Sequence, residues 1–127
     1  MPKYEDNLII VELDKDEIIV VGTNMNGQHF GGAARQAWES FGLAWFCAEG
    51  LCGQTYALPT LDKQMRQRND KQITTSVKKL FDCAKENPDN SFLLTKVGCG
   101  IASFDEDYIK DKFRNCPKNI ILPKDWK

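Results

Sequence analysis

Apolar residues fall along the chain in short runs separated by charged or glycine-bearing stretches. Residues 7–13 and 17–21 are two such runs, parted by Asp14, Lys15 and Asp16, and predict two strands joined by a tight turn. The second run shows no alternation of apolar and polar positions, the mark of a strand covered on both faces, and is the expected central strand. After it a glycine-punctuated loop gives way to Ala33, Ala34, Ala37, Trp38 and Phe41, an apolar stripe that predicts a helix over 32–41, ended by Gly42. A short apolar piece, 43–47, leads into a second glycine loop, AEGLCGQ, and 55–58 then reads as a strand stopped by Pro59.

The polar stretch beginning at Leu61 is expected to be exposed. Ile73, Val77, Leu80, Phe81 and Ala84 repeat at helical spacing, predicting a helix over 71–86 that Asn87 and Pro88 end. Residues 91–97 read as a strand running directly into a third glycine loop, Gly98-Cys99-Gly100. Ser103 and Glu106 have the spacing of a capping box for a helix over 105–113, and 119–122 closes the pattern as a last strand. Strands alternating with helices predict one three-layer α/β/α domain, 1–127, around a mixed or mostly parallel sheet.

Composition narrows the functional classes. Hydrophobic residues make up 42% and charged residues 28%, the balance of a packed globule, and 127 residues suffice for one core. The net charge of −1 comes without a basic stripe, which argues against polymeric nucleic acid as a partner. No apolar run is long enough to span a bilayer, and the N-terminus has no small-residue cleavage site; a cytoplasmic protein without membrane contact is expected. Five cysteines without Cys-x-x-Cys spacing and a single histidine predict reduced thiols, no metal site and no cofactor. A domain this small often completes its pocket or covers exposed aromatics with a second copy, so a homo-oligomer is expected.

In such a sheet ligands bind beyond the carboxyl ends of the strands, and three glycine loops leave the ends of predicted strands here. Gly22, Gly27, Gly31 and Gly32 let backbone N–H groups approach an anion, and the start of the following helix adds unpaired donors. His29, inside that loop, is a candidate either for ligand contact or for local loop hydrogen bonding. Glu49, beside Gly50, can accept from a ribose hydroxyl or a base amine, act as a general base, or cap nearby N–H groups. Cys99 between two glycines has the look of a nucleophile elbow. With His29 as the sole imidazole, a small side chain that lets the backbone near the ligand is the better reading. Phe104 is the aromatic expected to stack on an adenine or ribose, while Arg35 reads as a solvated arginine within reach of a phosphate.

Three segments, GTNMNGQHFGGAARQA, AEGLCGQTYALPT and FLLTKVGCGIASF, resemble an uncharacterised bacterial and phage family whose members are similar to macrodomains, the ADP-ribose-binding modules; the resemblance runs from about Ile18 to Trp126. It implies a macrodomain-like fold and a small nucleotide-like ligand, sensed or sequestered, with hydrolysis of an ADP-ribosyl or phosphoester bond as the alternative. It places Asn24 on the distal ribose, Gly31, Gly32 and Ala33 in the first phosphate loop, and Gly98, Cys99, Gly100, Ile101 and Ala102 in the second. Two departures stand out. Phe30 interrupts the family's His-Gly-x-Gly, and the middle loop keeps Glu49 and Gln54 but loses flanking polar residues to Cys47 and Cys52.

Overall fold

The non-alternating run becomes β1 (Glu17–Asn24), and its side chains divide between two cores as a period of two requires. Ile18 and Val20 pack to one side with Tyr56 and Leu58 of β3 (Thr55–Leu61), and Ile19 and Val21 to the other with Ala57. These relations come from a computed structural model that describes residues 13–29 and 31–127. The N-terminal segment, nearly all of the strand expected over 7–13, and Phe30 lie outside the described residues.

The sheet runs β2 (Gly50–Cys52), β3, β1, β4 (Ser91–Leu94), β5 (Ile120–Ile121); only β2 is antiparallel to its neighbour. One face is covered by α1 (Gly32–Ser40) through Ala33, Ala34 and Ala37, with Phe41 beyond it. Small side chains there let the helix sit close to the strands. The other face carries α2 (Asp70–Glu86), α3 (Glu106–Lys112) and Trp126 of the closing 3-10 helix (Lys124–Trp126), packed around Phe92 and Leu94. This is the mixed three-layer α/β/α arrangement. Among the described residues no helix is long and apolar enough to cross a membrane.

Local expectations change in five places. β3 continues through Pro59 to Leu61, because β2 pairs only with residues 55–57 and the register toward β1 shifts at Thr23/Asn24, where a missing N–H is tolerated. The middle glycine stretch is a hairpin, not an open loop: Gly53 turns at φ 61°, and a methyl group on it would stand 2.8 Å from the Gly42 Cα. β4 ends at Leu94 instead of Val97, and β5 contracts to two residues. The capping box belongs to α2, not α3. Asn69 Oδ1 accepts from Gln72 N–H at 2.9 Å and Gln72 Oε1 from Asn69 N–H at 3.0 Å. Ser103 instead takes a left-handed φ of 59°, and Glu106 accepts from Trp126 Nε1 at 2.7 Å.

Candidate functional site

The carboxyl ends of β1, β3 and β4 open into one crevice. One wall is the end of β1 with the first turn of α1, from Gly31 to Ala34; the facing wall is the stretch from Thr95 to Ala102; Thr60, Leu61 and Met65 line it from the β3 side. The first and third glycine loops therefore face each other, and a methyl group on Gly31 would come within 3.6 Å of Ile101 Cδ1. The α1 N-cap is Gly31, which supplies no side-chain cap, and the first turn holds no acid. Among the described residues no side chain caps its backbone donors.

The glycines divide by cause. Gly27, at φ 65°, lies so near the Phe46 backbone that a Cβ would be 2.4 Å from its Cα. Gly98, at φ 77°, would press a Cβ to 3.0 Å from Phe104 and 3.2 Å from Thr60. Gly22, inside β1, leaves room for the third loop, whose Gly98 N would stand 3.1 Å from an added methyl group. Gly32 has φ 65°. Gly31 and Gly100 differ: both have φ values outside the left-handed region, Gly31 would meet only an ordinary contact, and Gly100 would meet nothing within 4 Å. Neither the backbone nor the packing asks for glycine at these two positions, and both border the crevice.

Of the other residues singled out from the sequence, Asn24, Ala33, Ile101 and Ala102 line the crevice. Asn24 mainly builds its own loop: Oδ1 accepts from Asn26 N–H and Gln28 N–H, both at 3.1 Å, and Nδ2 donates to Gln28 O at 2.7 Å. One amide hydrogen remains for a ligand. Eight residues are not brought to the lining. Gly27 is spent on the Phe46 contact. His29 is 1% exposed, with Nε2 donating to Ala44 O at 2.9 Å and the ring edge-on to Trp45; Nδ1 is buried without a partner. Burial lowers its pKa, so the ring is neutral at physiological pH.

Glu49 pairs with Lys79 at 3.6 Å on the α2 side, and Gly50 opens β2. Gln54 sits in the hairpin at the amino ends of the strands, where its amide donates to Asp14 O and Glu17 O. Cys99 turns inward: its N–H donates to Lys96 O, its Sγ donates to Val97 O at 3.6 Å, and burial pushes its thiol up to about 11. Phe104 lies under Gly98, stacked on Tyr108 with ring centroids 5.6 Å apart, and so supports the loop from beneath. Arg35 pairs with Glu39 at 3.5 Å.

Thr60, Leu61 and Met65 escape a sequence reading that ends the strand at Pro59 and expects the polar stretch from Leu61 to be exposed; Leu61 is buried instead. The apolar residues of TYALPTL, continuing past Pro59 to Leu61, are the signal the sequence offers. The same reading misses Lys96, whose ammonium lies between Asp125 Oδ2 at 2.8 Å and Glu106 Oε1 at 3.0 Å. The Trp126 indole and Lys96 hold the Glu106 carboxyl below its usual pKa. Lys96 thereby ties the start of the third loop to α3 and to the closing turn. Among the described residues no acidic side chain lines the crevice, so an anion there would meet no like charge from them.

No family model matches this sequence, and no curated protein matches it. Solved structures do. The macrodomain of Mycobacterium tuberculosis DarG superposes with a TM-score of 0.68 at 16% identity over 94% of each chain. Thermosipho africanus DarTG in complex with ADP-ribose gives a TM-score of 0.63 at 13% identity, over 86% of this chain and 36% of that one. This chain therefore spans about a third of the latter's length. The fold is macrodomain-like.

Proposed function

We propose that this protein binds an ADP-ribose-type nucleotide in the crevice, its phosphates held by main-chain N–H groups of the first turn of α1 and of the third glycine loop. The observation that carries this reading is the pair Gly31 and Gly100, two glycines that the fold does not need and that leave the crevice walls bare. Absence of a side chain there has a use if an anion must come within hydrogen-bonding distance of the backbone. The uncapped N-terminus of α1 supplies the donors, and one of the structural neighbours was solved with ADP-ribose.

In this reading the ligand is held and not cleaved, as in a sensor or a sequestering protein. His29, Glu49 and Cys99, the candidates for chemistry, do not line the crevice. The setting is cytoplasmic, and the exposed Trp38, Phe46 and Leu51 support self-association, which light scattering at micromolar concentration tests. Calorimetry with ADP-ribose, ADP and AMP, followed by mass spectrometry of the recovered nucleotide, tests the main proposal. ADP-ribose should bind and be recovered intact; Gly100→Val should fold as wild type and lose at least about tenfold in affinity, about 1.4 kcal/mol. Unchanged affinity in that variant, or no binding by the wild type, rejects the site.

A further inference from the structure

The cysteines of the described residues are free and half-buried, but two of them are not isolated. The Cys47 thiol has that of Cys52 as a neighbour, and both side chains pack on the core beneath α1. Ala44 brackets the pair: its N–H donates to Cys52 Sγ at 3.1 Å, and its carbonyl accepts from Cys47 N–H at 3.1 Å. Cys52 Sγ also donates to Gly42 O at 3.6 Å. The other cysteines meet different groups. Cys83 faces the Asn87 amide, Cys99 the Val97 carbonyl, and Cys116 packs against the opposite core.

The segment holding Cys47 is also the buttress of the first glycine loop. Among the described residues Ala44 O receives the only hydrogen bond of the His29 ring, and Phe46 N–H donates to Gly27 O at 2.6 Å. We propose that Cys47 and Cys52 form a reversible disulfide that locks this buttress to β2, making the segment responsive to the thiol–disulfide balance.

With glutathione disulfide as oxidant, one cysteine thiolate attacks a glutathione sulfur and releases one glutathione thiolate, which takes up a proton. The second cysteine, as thiolate, then attacks the protein sulfur of the mixed disulfide and expels the second glutathione. Two electrons pass to glutathione disulfide, and the protein loses two hydrogens. Burial and the neighbouring thiol raise Cys47 to about 11, so its thiolate is scarce at neutral pH and closure speeds up as pH rises.

The test uses the whole chain equilibrated with glutathione and glutathione disulfide at several ratios, quenched with an alkylating agent and digested with trypsin. No lysine or arginine lies between Gln36 and Lys63, so both cysteines report in one tryptic peptide. That peptide should become lighter by about 2 Da and resist alkylation as the ratio becomes oxidising, and revert with dithiothreitol. Cys52→Ser, which keeps an acceptor for Ala44 N–H, should stop at a glutathione adduct, while Cys99→Ser should still close. The oxidised protein should melt roughly 5 °C higher, because a short loop is closed in the unfolded chain. Persistent glutathione adducts on the wild type, pairing with Cys83, Cys99 or Cys116, or a crosslink without a rise in melting temperature would each overturn the proposal.

Discussion

Replacing Gly27 by alanine puts a methyl group where the Phe46 backbone already stands. The new carbon would lie 2.4 Å from Phe46 Cα and from its carbonyl carbon, and neither belongs to a flexible side-chain end. Alanine at φ 65° costs about 1 kcal/mol in conformational energy alone. Relieving the collision requires moving the Phe46 peptide, whose N–H donates to Gly27 O at 2.6 Å; losing that bond costs about 1 kcal/mol. Phe46 itself sits at φ 71°, which leaves little room to yield, and the remaining overpacking adds about 1–3 kcal/mol.

Together these give a loss of about 3–5 kcal/mol, and at about 4 °C per kcal/mol for a chain of this length the melting temperature falls by about 12–20 °C. Calorimetric melting reads it directly. Gly100→Ala is the control, since its methyl group meets nothing within 4 Å, and it should stay within about 0.5 kcal/mol of wild type. A Gly27→Ala protein melting within about 2 °C of wild type would refute the assignment of Gly27 to structure instead of ligand contact.

Three further outcomes follow from the geometry. Since the pKa of His29 is lowered by burial, the unfolded chain binds the extra proton between the folded value and about 6.5, so stability falls as pH drops below about 6.5, with a slope of at most about 1.4 kcal/mol per pH unit. Urea midpoints from pH 5 to 8 should show that slope in the wild type, and His29→Gln should flatten it. Asn69→Ala removes one half of the α2 capping box and should cost about 1 kcal/mol by urea denaturation; a neutral result would mean the box does not form in solution. Trp126→Ala empties a buried site and should cost about 3–4 kcal/mol, with faster amide exchange across residues 97–102, whereas Trp126→Phe keeps most of the packing; equal effects of the two would count against a packing role.

Hydrophobic pattern alone was enough for the helices now seen as α1, α2 and α3, for the central β1 and for the layering, because burial on one stripe or on both faces leaves a periodic trace in the chain itself. It also located two glycine loops at strand ends, since a glycine run directly after an apolar strand marks where the chain must turn. Which glycines serve the fold was invisible: Gly27 is tied to Phe46 and Gly53 to Gly42 by contacts between segments far apart in sequence, with no periodicity to announce them. The same holds for His29, whose neighbours in the chain leave ligand contact and loop hydrogen bonding both open, and which is buried by Ala44 and Trp45, its neighbours in space. Pro59 read locally as a strand end, but beyond the reach of β2 the strand stays paired with β1, Pro59 opposite Thr23 and Leu61 opposite Asn24, and so carries Thr60 and Leu61 to the crevice. Periodicity is a property of one segment and can be read from it; the division of glycines, thiols and polar groups between support and ligand depends on what a different segment places beside them, and only tertiary packing decides that.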